Sequence, residues 1–316
     1  MDSTNFLQAA YQNENKPDGA MALVVQGGGM RGVYSMAALA ALEELGFSEK
    51  FDYVVGSSAG AINGAYFIAK QAKGGTGIYT NELSVSGFIS FFRLKKIVDI
   101  DFLIDLVVKN TVKLSIKRIK DISVELEISL TNAKTIKTEY LSTKKDTFDL
   151  CESLRATAAL PVLYDKEVHI SGENYIDGGI SDYIPLNRAI EKGYKNIVVV
   201  LTSELKHRKS KVGFFRYLAF INKKDKLKKV LLQKNKNFND IVDIIKSNHP
   251  DIKILCIAPS DKERLVSTIT KNKESLLDCA LMAVEDVYAK LSVDLKPTYK
   301  NFFDIWISKA QILNKK

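Results

Sequence analysis

Three short stretches of this chain combine a nucleophile, backbone donors and a carboxylate. Gly56-Ser57-Ser58-Ala59-Gly60 follows the run Phe51-Asp52-Tyr53-Val54-Val55 and has the G-x-S-x-G spacing of a nucleophile elbow, with Ser58 at its apex. A serine there stands at the end of a strand and at a helix N-terminus, where developing negative charge is favoured. Gly56 and Gly60 let the turn close, because side chains at either position would collide across it. Gly27-Gly28-Gly29-Met30-Arg31-Gly32 follows Ala22-Leu23-Val24-Val25 and offers unencumbered backbone N–H groups beside a guanidinium. The two blocks read as a nucleophile and a cradle for an oxyanion. Asp177-Gly178-Gly179, after Tyr175-Ile176, sets a carboxylate on a permissive loop that can approach another loop closely. Asp-Gly is also an ordinary turn dipeptide, so this third stretch gains weight only from the other two.

Other readings of the same residues exist. G-x-S-x-G is also met as a tight strand-to-helix turn without chemistry. Gly27, Gly29 and Gly32 satisfy G-x-G-x-x-G, and Asp52 follows at the distance of a dinucleotide-binding fingerprint. Position argues against the nucleotide. The ribose-binding acid belongs at the C-terminal end of the second strand, whereas Asp52 opens its strand and Gly56-Ser57-Ser58 occupies that end.

In their order, Gly-Gly-Gly-x-Arg-Gly, Gly-x-Ser-x-Gly and Asp-Gly-Gly resemble the patatin-like phospholipase family. Ser153-Leu154-Arg155-Ala156-Thr157-Ala158-Ala159-Leu160-Pro161 is similar to the small-residue block that family carries before its aspartate. The likeness spans residues 20–205. It implies an α/β fold, a three-layer sandwich with a mostly parallel central sheet, and a Ser58–Asp177 dyad. It further implies an oxyanion hole at Gly27, Gly28, Gly29, Arg31 and Gly32, with Gly56, Gly60, Gly178 and Gly179 supporting the elbow and the aspartate loop. The substrate it implies is a phospholipid or another lipid ester. That chemistry requires no metal and no organic cofactor.

A serine hydroxyl is a poor nucleophile until a base takes its proton. Most serine hydrolases use histidine, and the only three here, His169, His207 and His249, have no motif around them. A free carboxylate titrates at about 4, which makes Asp177 a weak base unless burial raises that value. Oxyanion donors can supply what the base lacks, since removing one costs on the order of 10²–10³ in rate. An α/β-hydrolase triad of Ser58, Asp177 and His207 or His249 has the right order, but only about two strands precede Ser58, too few for that fold. A lipid-binding protein of the patatin-like fold without turnover is a competitor from another class. The intact Ser58, Asp177 and glycine loop argue against it. Arg31 either meets the oxyanion or holds the glycine loop open through its carbonyls, and the family pattern favours shaping the loop.

Periodicity gives the strands and helices around these residues. Apolar strands at 21–26 and 51–55 lead into helices Val33–Leu45 and Ala59–Lys70, the alternation of a parallel sheet covered on both faces. Residues 71–79, with Gly74, Gly75 and Gly77, read as a loop, and 83–121 as broken helix. Val124–Leu130 alternates like a half-exposed strand. Strands are also expected at Lys166–Ser171, at Ile197–Thr202 and at Ile254–Ile257. Ser260-Asp261-Lys262-Glu263 fits a capping box opening a helix, and 274–291 reads as another helix. Val212–Ile221, aromatic and bracketed by lysines, suits either an interfacial helix or a core helix. The expected organisation is an N-terminal extension (1–19), the α/β hydrolase domain (20–259) and a helical C-terminal extension (260–316).

The chain has 316 residues and a net charge of +9, mostly from lysine, with a cluster from Lys223 to Lys236. No nucleic-acid-binding motif accompanies that charge, so the expected partner is a lipid, with peripheral contact to an anionic membrane. Oligomeric state is open at this level. Cys151, Cys256 and Cys279 show neither metal-ligand spacing nor a disulfide framework. The first twenty residues lack a secretory pattern and no stretch reaches the ~20 apolar residues of a membrane span. The expected location is therefore cytoplasmic, with export by a dedicated machine left open.

Overall fold

The computed structural model of the chain describes residues 5–12, 19–85, 87–90, 92–93, 96–145, 149–161, 163–206, 208, 225–247 and 249–294. Its centre is β1 (Met21–Val25), flanked in parallel by β2 (Tyr53–Ser57) and β7 (Asn196–Val200). β3 (Glu125–Asn132) continues the sheet beyond β2, and β8 (Lys253–Ile257) beyond β7, both parallel. β4 (Thr138–Ser142) pairs antiparallel with β3. β6 (Glu173–Asp177) pairs antiparallel with both β3 and β5 (Val168–Ile170). The result is a mixed sheet of eight strands flanked by helices, an α/β fold.

Met21-Ala22-Leu23-Val24-Val25 contains no polar residue, as a strand covered on both faces requires. Alternation along it divides the core. Met21, Leu23 and Val25 face one apolar cluster, Ala22 and Val24 the other. The first cluster is covered by α1 (Asn5–Gln12), α2 (Gly32–Glu44), α3 (Ala59–Ile68), α4 (Ala72–Gly77), α5 (Ile116–Asp121) and α6 (Leu150–Ala158). The second is covered by α7 (Leu186–Glu191) and α8 (Asp225–Lys246), through Leu186, Ala189, Phe238 and Val242. α9 (Lys273–Leu291) returns to the first face and lies against α2. Lodged between the sheet and α9, α2 is buried from Gly32 to Leu42 and apolar all round.

The structure departs from the sequence expectations at several places. Residues 72–77 are helical, and a π-helical turn follows at Ile78–Glu82. Gly75 serves helix packing there: a Cβ on it would stand 2.8 Å from the Met36 sulfur on α2. β3 is buried along nearly its whole length, because sheet neighbours and helices cover both faces. Two of its buried polar side chains are matched by partners. Glu127 takes Arg188 and the Tyr53 hydroxyl, and Thr131 donates to the Asp177 carbonyl. The 83–121 stretch resolves into a π-helix at Phe102–Thr111 and α5, with an antiparallel bridge between Ile89 and Val98. No helix begins at Ser260. Asp261 closes a local turn onto the Glu263 N–H, and α9 starts at Lys273, capped by the Asn272 side chain on Ser275 N. Val212–Ile221, His207 and the tail bearing Phe302 and Trp306 lie outside the described residues. Among the described residues no helix is long and apolar enough to cross a membrane.

Candidate active site

β2 ends at Ser57, and the chain turns at Ser58 directly into α3. That turn forces Ser58 to φ 53° and ψ −128°, a left-handed conformation that costs a non-glycine residue on the order of 1–3 kcal/mol. Tight packing holds it there. Gly60 lies against the end of β1, where a Cβ would run into the carbonyl oxygens of Val25 and Gln26. A Cβ on Gly56 would stand 2.6 Å from the Ala61 backbone. Ser58 is partly exposed, at the N-terminus of α3, while Ser57 is fully buried.

Asp177 ends β6 and caps the short turn Gly178–Ile180, its Oδ1 accepting from Gly179 N at 2.7 Å. Its Oδ2 accepts from the Ser58 hydroxyl at 2.9 Å. The carboxylate is almost wholly buried. Gly178 passes so close to β3 that a Cβ there would overlap the Ser129 carbonyl, which is how the aspartate loop comes up against the elbow.

The glycine loop passes beside the elbow. A Cβ on Gly27 would stand 2.7 Å from the Ser57 carbonyl and 3.1 Å from Ser58 Cβ. The Gly27 carbonyl is held by the Thr202 hydroxyl, and Gly29 takes φ 56°, which glycine adopts without strain. Met30 N donates to the Thr268 carbonyl at 3.1 Å, and Arg31 N to the Gly28 carbonyl. Among the described residues the N–H groups of Gly27, Gly28 and Gly29 donate to none. Gly32 opens α2, its carbonyl accepting from Asn63, and the Tyr79 hydroxyl fills the space where its Cβ would be.

Arg31 reaches outside its own loop. Its Nε donates at 2.8 Å to the carbonyl of Val266, more than two hundred residues along the chain, instead of to carbonyls of its own loop. With the Met30–Thr268 bond it fastens the glycine loop to the segment before α9. Burial of Val266 makes this an anchored contact.

The two described histidines, His169 and His249, lie apart from this arrangement. His169 is exposed on β5 and bonds to Asn174, and His249 bonds to Ser247 and the Ile244 carbonyl. His249 precedes the N-terminal end of β8, which runs parallel to β2, so it sits at the edge of the sheet opposite Ser58. Among the described residues no cluster of histidine, cysteine and carboxylate side chains is placed to hold a metal.

One partner of the site was not singled out from sequence. Thr157, on α6, accepts the Ser58 N–H at 2.8 Å and donates to the Ser129 carbonyl at 2.7 Å. Its only signal in the sequence is its place in the small-residue block Ser153–Pro161.

Three comparisons bear on this arrangement. The chain is 31% identical over 191 residues to YjjU, an uncharacterized protein of Escherichia coli (strain K12). That alignment takes in 58% of this chain and 52% of the other, so the chain spans about half the length of this relative. The fold resembles that of VipD from Legionella pneumophila, with a TM-score of 0.54 at 12% identity, over 87% of this chain and 67% of that one. The family described as patatin-like phospholipase matches residues 23–190, more than half of the chain and inclusive of the glycine loop, Ser58, Thr157 and Asp177. The chain belongs to the patatin-like phospholipase family.

Proposed function

We propose that this protein is a serine lipid acyl hydrolase of phospholipase A or lysophospholipase type, acting through Ser58 and Asp177. The observation that carries the reading is the 2.9 Å hydrogen bond from the Ser58 hydroxyl to Asp177 Oδ2, beside a glycine loop whose Gly27, Gly28 and Gly29 N–H groups have no acceptor among the described residues. Ser58 Oγ attacks the ester carbonyl carbon and its proton passes to Asp177 Oδ2. The oxyanion formed is held by the N–H groups of Gly27 to Gly29, with the N-terminus of α3 adding favourable dipole. Collapse breaks the bond to the alcohol, which leaves with the proton from Asp177, and the acyl group stays on Ser58. Water then attacks the acyl-enzyme, giving a proton to Asp177. The second collapse returns that proton to Ser58 and frees the fatty acid.

The substrate class is a phospholipid or another lipid ester, and peripheral contact with an anionic membrane is part of the proposal. The net charge of +9 supports it, as do two exposed apolar side chains, Phe92 and Ile269. Ile269 follows Thr268, whose carbonyl rests against Gly29.

The test is a panel of phospholipid and lysophospholipid substrates with wild type and Ser58→Ala, together with fluorophosphonate labelling. Wild type is expected to hydrolyse at least one lipid ester and to label, and Ser58→Ala to do neither. A wild type that labels at no site and cleaves no ester refutes the reading.

A further inference from the structure

A nucleophile at φ 53° needs something outside its own chain neighbourhood to keep it there. Its N–H has left the β2 ladder and, at a helix N-terminus, has no intrahelical acceptor. The partner comes from α6, 99 residues along the chain, as the Thr157 hydroxyl at 2.8 Å. That hydroxyl has one proton, and it is committed to the Ser129 carbonyl at 2.7 Å. Its lone pairs must then face Ser58 N, so the direction of the bond is set as well as its length. Thr157 is fully buried, so water does not compete for either bond.

The same stretch reaches the other half of the pair. The carbonyl of Ala159, two residues on, accepts from Asp177 N at 2.9 Å. Thr157 and Ala159 therefore touch the backbones of both Ser58 and Asp177. α6 is itself pinned. Arg155, two residues before Thr157, bonds to Asp101 at 2.8 Å, to Asp105 at 2.7 Å and to Glu152.

We propose that Thr157 is a positioning residue for the nucleophile: its hydroxyl locks the Ser58 backbone so that Oγ stays within hydrogen-bonding reach of Asp177. The inference rests on the hydrolase reading above. If the lock is lost, the elbow relaxes, Oγ turns away from its base, and the chemical step slows while the substrate site is unchanged. A displacement of about 1 Å is enough to cost on the order of 10²-fold.

The experiment measures kcat and KM on p-nitrophenyl butyrate, fluorophosphonate labelling rates and melting temperatures for wild type, Thr157→Val and Thr157→Ser. Valine has the shape of threonine but can neither accept from Ser58 N nor donate to Ser129. Serine keeps the hydroxyl. Thr157→Val is expected to lower kcat and labelling rate about 10- to 100-fold with KM within about threefold. Thr157→Ser should stay within about threefold of wild type. A valine variant at wild-type rate, or a serine variant that loses as much as valine, overturns the proposal. Should Thr157→Val fail to fold, Thr157→Cys decides. Its weak sulfur bonds predict a kcat about tenfold down in a folded protein, and an unchanged kcat overturns the lock. Wild type serves as the control that separates the two claims. An unreactive wild type overturns the hydrolase reading and this inference with it, whereas a reactive wild type with an indifferent valine variant overturns the positioning role alone.

Discussion

Ser58 and Asp177 meet because β2 and β6 take up successive positions on one edge of β3. Ser129 pairs with Ser57 of β2 and with Tyr140 of β4, whereas Leu130 pairs with Asp177 of β6 and with Glu139 of β4. A strand residue has two edges, and β4 holds one of them along Glu127–Thr131. β6 must therefore enter on the edge that β2 leaves. The carboxylate arrives where the elbow turns off the sheet, and two chain segments more than a hundred residues apart come to share a 2.9 Å hydrogen bond.

Among the described residues no histidine bonds to Ser58 or Asp177. Asp177→Asn is expected to lower ester hydrolysis by about 10²–10⁴-fold, the worth of a general base, without a change in melting temperature. His169→Gln and His249→Gln should each stay within about tenfold of wild type, below that range. Ser57→Ala should be mild, because the Ser57 hydroxyl is buried and has no partner among the described residues. Full activity in Asp177→Asn would falsify the pair.

Arg31 fastens the glycine loop to Val266, so its removal should loosen the loop without emptying the site. Arg31→Met is expected to reduce kcat about tenfold and stability by about 1–2 kcal/mol, the worth of a partly buried charged hydrogen bond. Arg31→Lys should recover only part of either, since an ammonium cannot reproduce the Nε geometry. Thermal melts and short-chain ester kinetics measure both. A methionine variant equal to wild type in both would show that the anchor is idle.

Asp182, five residues past Asp177, is pushed up to about 6 by burial, with Glu191 adding to the rise and the Tyr140 hydroxyl opposing it. The unfolded chain titrates at about 4. Between those values the folded state holds a proton that the unfolded state has released, so this group's contribution to stability falls as pH rises from 4 to 6 and levels off above. Asp182→Asn should therefore gain on wild type across that window, by about 1–2 kcal/mol once the residue's partial exposure is allowed for. Urea denaturation of both proteins at pH 4, 5, 6 and 7 tests this. A difference that does not vary with pH rules out the raised carboxyl.

Phe92 is 98% exposed, in a turn closed by Arg93 N on the Ser90 carbonyl. The adjoining Ile89 carbonyl accepts from Lys271, two residues past Ile269, which ties this turn to the segment beside the glycine loop. An aromatic ring so placed can enter the headgroup boundary while lysines meet anionic lipid. Phe92→Ser with Ile269→Ser should weaken sedimentation with phosphatidylserine vesicles about threefold or more, at roughly 0.8 kcal/mol per CH₂ withdrawn from lipid. Melting temperature and hydrolysis of p-nitrophenyl butyrate should not change. Undiminished vesicle binding assigns membrane contact to another surface.

The local parts of this protein are legible in its residue order. A strand that is apolar at every position must be buried on both faces, so β1 and its place in a covered parallel sheet were legible from Met21–Val25. Glycines at Gly56 and Gly60 around Ser58, and at Gly178 after Asp177, mark backbone that must turn or approach closely, so the elbow and the aspartate loop were legible too. Periodicity reports only whether a residue repeats on a face, and not what lies opposite it. That is why β3 read as half-exposed, when Glu127 and Thr131 are buried against partners from β2, β6 and α7. Gly75 read as a loop residue for the same reason, its purpose being the closeness of α4 to α2. That Arg31 reaches Val266, that Thr157 holds Ser58 N and that β6 enters where β2 ends follow from the folded arrangement alone. Each of these is a contact between segments far apart in the chain, set by strand register and helix packing, and local spacing carries no record of either.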